Sequence, residues 1–286
     1  MCPIGMLGIL CIFWMHIAEL RHSMIPSGLL DTGEGQQFLI PSHIYAMDDS
    51  GKMLGSGLRD FSTMYGDFLR DENPSCIALW HFLNLQMLVN IEVLEAASGR
   101  HGVDYAHTAL HMIASWSQTK EARRACLHAA GIYKAMNRRR IEEGASLHSE
   151  ASVFVAALVL GLYVFMVHAN DEDEHATQAE ASTSELECYE ILDDVNWQHL
   201  GLTGLPWSSD TTIEPHRIEG TAIPFVESGA PMSFMGTVCD GGYEGANMIF
   251  LEFANLLGDM GNSNVAGLCQ ILRIMSDTLV ESEMTL

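Results

Sequence analysis

The sequence predicts an all-α fold, a single large helical domain interrupted by an irregular Pro/Gly-rich insertion near residues 205–242. Three observations carry that prediction. Long stretches repeat their apolar residues at helical spacing, and helix-start and helix-stop residues sit at their ends. Charge is sparse, 18% of residues against 48% apolar, so 286 residues supply a sizeable core. Pro, Gly, Ser and Thr are concentrated in one region, Leu205 to Gly242, where short runs such as "TAIPFV" read as extended.

Along the chain, the first apolar run is "IGMLGILCIFW", Ile4 to Trp14. It lacks a basic flank and a small-residue cleavage site, so it does not read as a signal peptide. It is also shorter than the ~20 residues a membrane span needs. The segment Pro74 to Ser98 reads as one helix: Asn73 is a natural N-cap, Pro74 suits the first helical position, and Gly99 stands where a left-handed C-terminal cap belongs. A second helix covers Val103 to Ser115. A third starts after Thr119, has Glu121 in its first turn and ends by Arg139.

That third helix holds the oddest charge pattern in the chain. Seven of the fourteen Lys and Arg fall between Lys120 and Arg140 against the single acid Glu121, a local +6 in a protein of net charge −23. On a wheel of 100° per residue, Lys120, Arg123, Arg124, Lys134 and Arg138 lie within about 60° of one direction. Ala122, Ala125, Cys126, Ala129, Ile132, Tyr133 and Met136 take the other side, giving a small-residue buried face and a cationic outer face. A nucleic-acid contact would have to overcome the −29 carried elsewhere. "NRRR" runs straight into "IEE" and is short for a nuclear-import signal. The preferred reading is a scaffold helix whose arginines meet the protein's own acids, with Arg123 or Arg124 within salt-bridge distance of an Asp or Glu.

"ASVFVAALVLGLYVFMVHA", Ala151 to Ala169, is long and apolar enough for a single membrane span, with basic residues before it and "DEDE" after it. The alternative is a central helix buried on all sides. "DEDEHATQAEASTSE", 171–185, reads as an acidic flexible loop. "LECYEILDDVNWQHLGL" reads as a short helix leading into a turn, and two helices, about Tyr243 to Asp259 and Val265 to Glu281, close the chain.

No catalytic constellation emerges. Seven cysteines, an odd number with no C-x-x-C pair, exclude a zinc finger or zinc cluster within the chain and read as reduced thiols. His107 and His111 share a helix face, but a hydrolytic zinc site would place Glu after the first His, where Thr108 stands. "LLDTGEG", Leu29 to Gly35, holds an Asp-Thr-Gly without the second copy that an aspartic protease needs, so it reads as a turn. "CDGGYEG", Cys239 to Gly245, has no basic neighbour to favour a phosphate and reads as a turn as well. Catalytic, cofactor and metal residues are therefore expected to be none.

Five blocks, in order, carry a resemblance. They are "LWHFLNLQMLVNIEVLEAASGRHG" (Leu79 to Gly102), "EARRACLHAAGIYKAMNRRR", "LHSEASVFVAALVLGLYVFMV", "YEILDDVNWQHLGLTGL" and "ANMIFLEFANLLGDM" with "LCQILRIMSDTLVES". Together they resemble the fungal-specific transcription factor domain, or middle homology region, of fungal zinc-finger regulators, best over 79–281 and extended here to the whole chain, 1–286. The turn "GNSNVAG" departs from the pattern by lacking a Trp. The resemblance implies a nuclear, non-enzymatic regulatory domain that modulates RNA polymerase II transcription. It implies contacts with the transcription machinery or a co-regulator, room for a homodimer or a small-molecule effector, and no membrane contact. DNA and zinc would belong to a finger module that this chain lacks. Trp80, His81, Glu95, Gly99, Arg100, Arg123, Arg124, His128 and Trp197 are the block residues expected to matter. The runner-up function remains a membrane-associated helical protein with 151–169 as its span.

Overall fold

The computed structural model describes residues 3–24, 39–72, 74–139, 147–167, 188–195, 197, 200, 222–239, 241–261 and 265–283. Eleven helices are found among them: α1 (Pro3–Met24), α2 (Pro41–Tyr45), α3 (Asp49–Glu72), α4 (Pro74–Leu88), α5 (Ile91–Ala97), α6 (Val103–Ser117), α7 (Lys120–Asn137), α8 (Leu147–Val167), α9 (Ala222–Ser228), α10 (Gly242–Asp259) and α11 (Val265–Glu283). Three short strands, β1 (Tyr189–Glu190), β2 (Met232–Phe234) and β3 (Thr237–Cys239), form a small sheet in that order. The fold is all-α, as its periodicity predicts.

The apolar helix α8 lies at the centre. Every residue from 152 to 164 is buried, and 83% of its most apolar window is enclosed by protein. α7 and α10 pack along it, α4 and α6 touch it, α11 backs α10, and α1 and α3 cover the outer side of α4. A glycine on α8 lets a neighbour in. A Cβ at Gly161 would stand 2.4 Å from Cζ of Phe250 on α10, so only Gly admits that ring. The buried apolar residues join into one cluster that runs from Met6 to Leu272. The long apolar helix of the sequence is thus a core helix, its apolar surface spent on other helices rather than on lipid.

The predicted helix Pro74 to Ser98 is two helices, α4 and α5, meeting at 89° across Val89–Asn90. Asn90 causes the break. Its backbone is extended and its Oδ1 accepts from Glu92 N at 3.2 Å, so it caps a new helix instead of continuing the old one. The indole of Trp116 supports the bend by donating to the carbonyl of Leu88 at 3.3 Å. Gly99 adopts φ +85°, the left-handed turn expected of it. Asn73 lies outside the described residues.

The Pro/Gly-rich region is more regular than its composition implies. Residues 201–221 lie outside the described residues, but "AIPFV", Ala222 to Val226, belongs to helix α9, with Pro224 in the first turn where its missing N–H costs little. A hairpin, β2–β3, follows. Its two turn residues, Met235 and Gly236, both have positive φ, 53° and 76°, which is the twist a two-residue hairpin requires. The expected short helix after Leu186 is instead strand β1, paired in parallel with β2 at Tyr189–Met232 and Glu190–Ser233. Glu190 holds that arrangement. One carboxylate oxygen accepts from Leu192 N and Met235 N, both at 3.2 Å, and the other from Gly236 N at 2.8 Å and Ser233 Oγ at 3.0 Å. Four donors on one carboxylate stabilise a Met in a backbone region it rarely adopts. The acidic loop 171–185 and "LLDTGEG" lie outside the described residues. Of "CDGGYEG", read as a turn, Cys239 ends β3, Asp240 lies outside the described residues, Gly241 precedes α10 and Gly242 to Gly245 form its first turn, with Gly241 and Gly242 both at positive φ.

Candidate functional site

The block residues converge on α7, and that helix is built as its sequence dictates. Thr119 caps it, its Oγ1 accepting from Ala122 N at 3.1 Å, and Glu121 sits in the first turn. The predicted buried face is buried throughout: Ala122, Ala125, Cys126, Ala129, Ile132, Tyr133 and Met136 are each at most 5% exposed. The predicted cationic outer face is a different surface from the one expected. Arg123 is buried, as are Leu127, His128, Ala130 and Ala135, so protein encloses most of the helix circumference.

Among the described residues Arg123 is paired with no carboxylate. Its Nε donates to the carbonyl of Val226 at 2.8 Å and its Nη1 to the carbonyl of Gln118 at 3.1 Å. Val226 is in the last turn of α9, and Gln118 is the C-cap of α6. One guanidinium therefore sits at the negative ends of two helices and satisfies orphan carbonyls of both. Arg124 forms no ion pair among the described residues, and its Nε is buried without a hydrogen-bond partner. Among the described residues the expected ion pair of Arg123 or Arg124 with an acid is not found: backbone carbonyls offered the buried Arg123 guanidinium a partner without a second desolvated charge. The lysines meet the acids instead. Lys120 pairs with Glu227 of α9, and Lys134 with Asp194 at 2.8 Å. The hydrogen bond from Lys120 holds the Glu227 carboxyl below its ordinary range.

Four other block residues meet behind α7. His81 of α4 and His128 of α7 face each other with Nδ1 atoms 3.1 Å apart. One ring must carry its proton on Nδ1 and donate, while the other accepts with its proton on Nε2. Trp197 stacks on His128, centroids 4.5 Å apart and planes at 21°. Trp80 meets His81 edge-on at 4.9 Å and lies 5.6 Å from His128. Gly131 makes room for the pair, since a Cβ there would lie 2.4 Å from Cε1 of His81. Burial drives both imidazoles towards the neutral form. His81 falls to about 3, with the Lys134 charge adding to desolvation. His128 falls well below the ordinary value through burial and then through His81. Two neutral, enclosed rings hold no excess proton at neutral pH, and the pair links α4, α7 and Trp197.

The remaining block residues form a separate unit. Glu95 and Arg100 pair across Gly99 at the end of α5, and Ser98 Oγ donates to the Glu95 carbonyl at 2.7 Å. His107 and His111 stand ring against ring at 4.6 Å on the exposed side of α6. Among the described residues no group of three or more His, Cys, Asp or Glu has metal-binding geometry. The sequence named Trp80, His81, His128 and Trp197 one by one but gave no sign that they touch. Glu190 has no local sequence signal, because the Met-Gly centre of "MSFMGTVC" is not a usual hairpin pair.

Two measurements check this site. Arg123→Met leaves two helix-end carbonyls without a buried donor and should cost about 3 kcal/mol in urea denaturation, with Arg123→Lys recovering less than half. A loss below about 0.5 kcal/mol would contradict the two-helix role. The histidine pair has folded-state values depressed below the ordinary ~6.5. Its stabilisation is therefore fully present above about pH 6.5 and is lost as pH falls towards the folded values. Stability should fall between pH 6.5 and 4.5, and the fall in His128→Asn should be shallower by about one proton. Parallel pH profiles would refute neutral burial of His128.

No protein-family model matches this chain, and neither a curated protein nor a solved structure matches it.

Proposed function

We propose that the chain is the regulatory domain of a fungal transcription factor, a non-enzymatic helical module that modulates RNA polymerase II transcription in the nucleus through protein contacts. The observation that carries this reading joins the sequence to the fold. Residues from three of the five blocks, Trp80 and His81, His128, and Trp197, are distant in the chain and meet in one buried cluster. A single domain built from these blocks would bring them together in this way.

The electrostatics support protein contacts over DNA contacts. Lys120, Arg123 and Lys134 are engaged by Glu227, two helix-end carbonyls and Asp194, and the chain as a whole carries −23. Phosphate binding would require breaking those contacts against a repulsive field. Burial of α8 inside the fold speaks against the membrane-associated alternative.

The test is a tethering assay in a filamentous fungus. The chain, fused to a heterologous sequence-specific DNA-binding domain, should change reporter transcription at least several-fold in either direction. A reporter level equal to that of the DNA-binding domain alone, or a sequence-specific gel shift by the unfused chain, would overturn the reading.

A further inference from the structure

One face of α6 carries a pair of imidazoles that the buried histidine cluster and the regulatory reading leave unused. His107 and His111 are four residues apart, so both side chains project from the same side of the helix. Both are exposed, and their rings meet edge to face with centroids 4.6 Å apart and planes at 75°. Among the described residues neither ring has a hydrogen-bond or ion-pair partner. Each neutral ring therefore keeps one nitrogen lone pair available. α6 contains no Lys or Arg, and its one acid, Asp104, lies about a turn before His107.

Two such lone pairs on one helix face are the donor set of a metal chelate, and imidazole suits zinc, copper and nickel. The ring spacing fits that chemistry. A metal–nitrogen bond of about 2.0–2.1 Å puts the ring centroid about 3.2 Å from the ion. Two rings at neighbouring coordination positions, about 90–109° apart, then have centroids about 4.5–5.2 Å from each other. The observed 4.6 Å lies inside that range. The terminal torsion of His is broad, so the nitrogens turn towards one ion without moving the helix. No cationic side chain on α6 opposes the ion, and the net charge of −23 attracts it.

We infer that His107 and His111 chelate a divalent transition-metal cation of the zinc and copper class, with water completing its coordination. Two protein ligands make this site weaker than a structural zinc site, which takes four. The bound ion would bridge adjacent turns of α6 and stabilise that helix. The inference goes beyond the regulatory reading and stands without it.

The test is a titration of the full chain, ¹⁵N-labelled, with zinc chloride at about pH 7.5, where free imidazole is neutral. The ring-nitrogen signals of His107 and His111 should shift together and saturably, with a Kd on the order of 10–100 µM. Copper should bind more tightly than zinc, and magnesium, which prefers oxygen ligands, should leave the signals unmoved. His107→Ala and His111→Ala should each weaken zinc binding at least tenfold. Both side chains are exposed, so the thermal midpoint in metal-free buffer should stay unchanged. Thr108→His combined with His111→Ala keeps two imidazoles on α6 but should not restore binding, because adjacent helical residues do not face each other. Ring signals that do not move below millimolar zinc overturn the inference. So does an affinity that persists in either alanine variant, or full binding by the rearranged pair.

Discussion

The structure depends on keeping water away from one helix. From residue 152 to residue 164 α8 has no side that tolerates solvent, and a fully buried Val or Leu is worth roughly 1.5–3 kcal/mol relative to exposure. Covering such a helix takes neighbours on every side, and the chain supplies α7, α10, α6 and α4. Close approach is the second half of the solution. The alanines of α7 and Gly161 of α8 bring backbones together, so that large rings such as Phe250 fill the remaining space. The outer helices then stabilise the inner ones, and the core becomes continuous from Met6 to Leu272.

The cationic cluster follows from that layout. An inner helix that runs past the ends of α6 and α9 meets unsatisfied carbonyls, and a long guanidinium reaches two of them at once. Lys120 and Lys134 then fix the segments that lie over α7 by gripping Glu227 and Asp194. Both pairs are partly exposed and individually worth little. Their contribution is register, since they set where α9 and the β1 segment rest on the helix. An acidic protein gathers positive charge on α7 because its own helix ends and carboxylates are the partners there.

Much of this was legible in the sequence. The helix ends at Thr119, Gly99 and Asp259 follow from capping chemistry, and the buried face of α7 follows from its periodicity. What the sequence hid depends on contacts between distant residues. The break at Asn90 is invisible in an apolar run that otherwise suits a continuous helix, because the decision rests on one side chain choosing Glu92 N as its partner. Arg123 shares its wheel position with solvent-facing lysines, and only the arrival of α9, a hundred residues later, buries it. The His81–His128–Trp197 cluster likewise joins positions 47 or more residues apart, which no local pattern encodes. The strand at Tyr189–Glu190 went unread because two residues carry no periodicity, and its stability comes from a carboxylate that serves four donors across the chain.

Hydrogen–deuterium exchange of the purified chain in detergent-free buffer tests the central claim most directly. If α8 is the core helix, its amides between 152 and 164 and those of the facing turns of α7 should be the slowest in the molecule, exchanging only through global unfolding. Rapid exchange of that segment in buffer, with protection gained only in detergent micelles, would contradict the account.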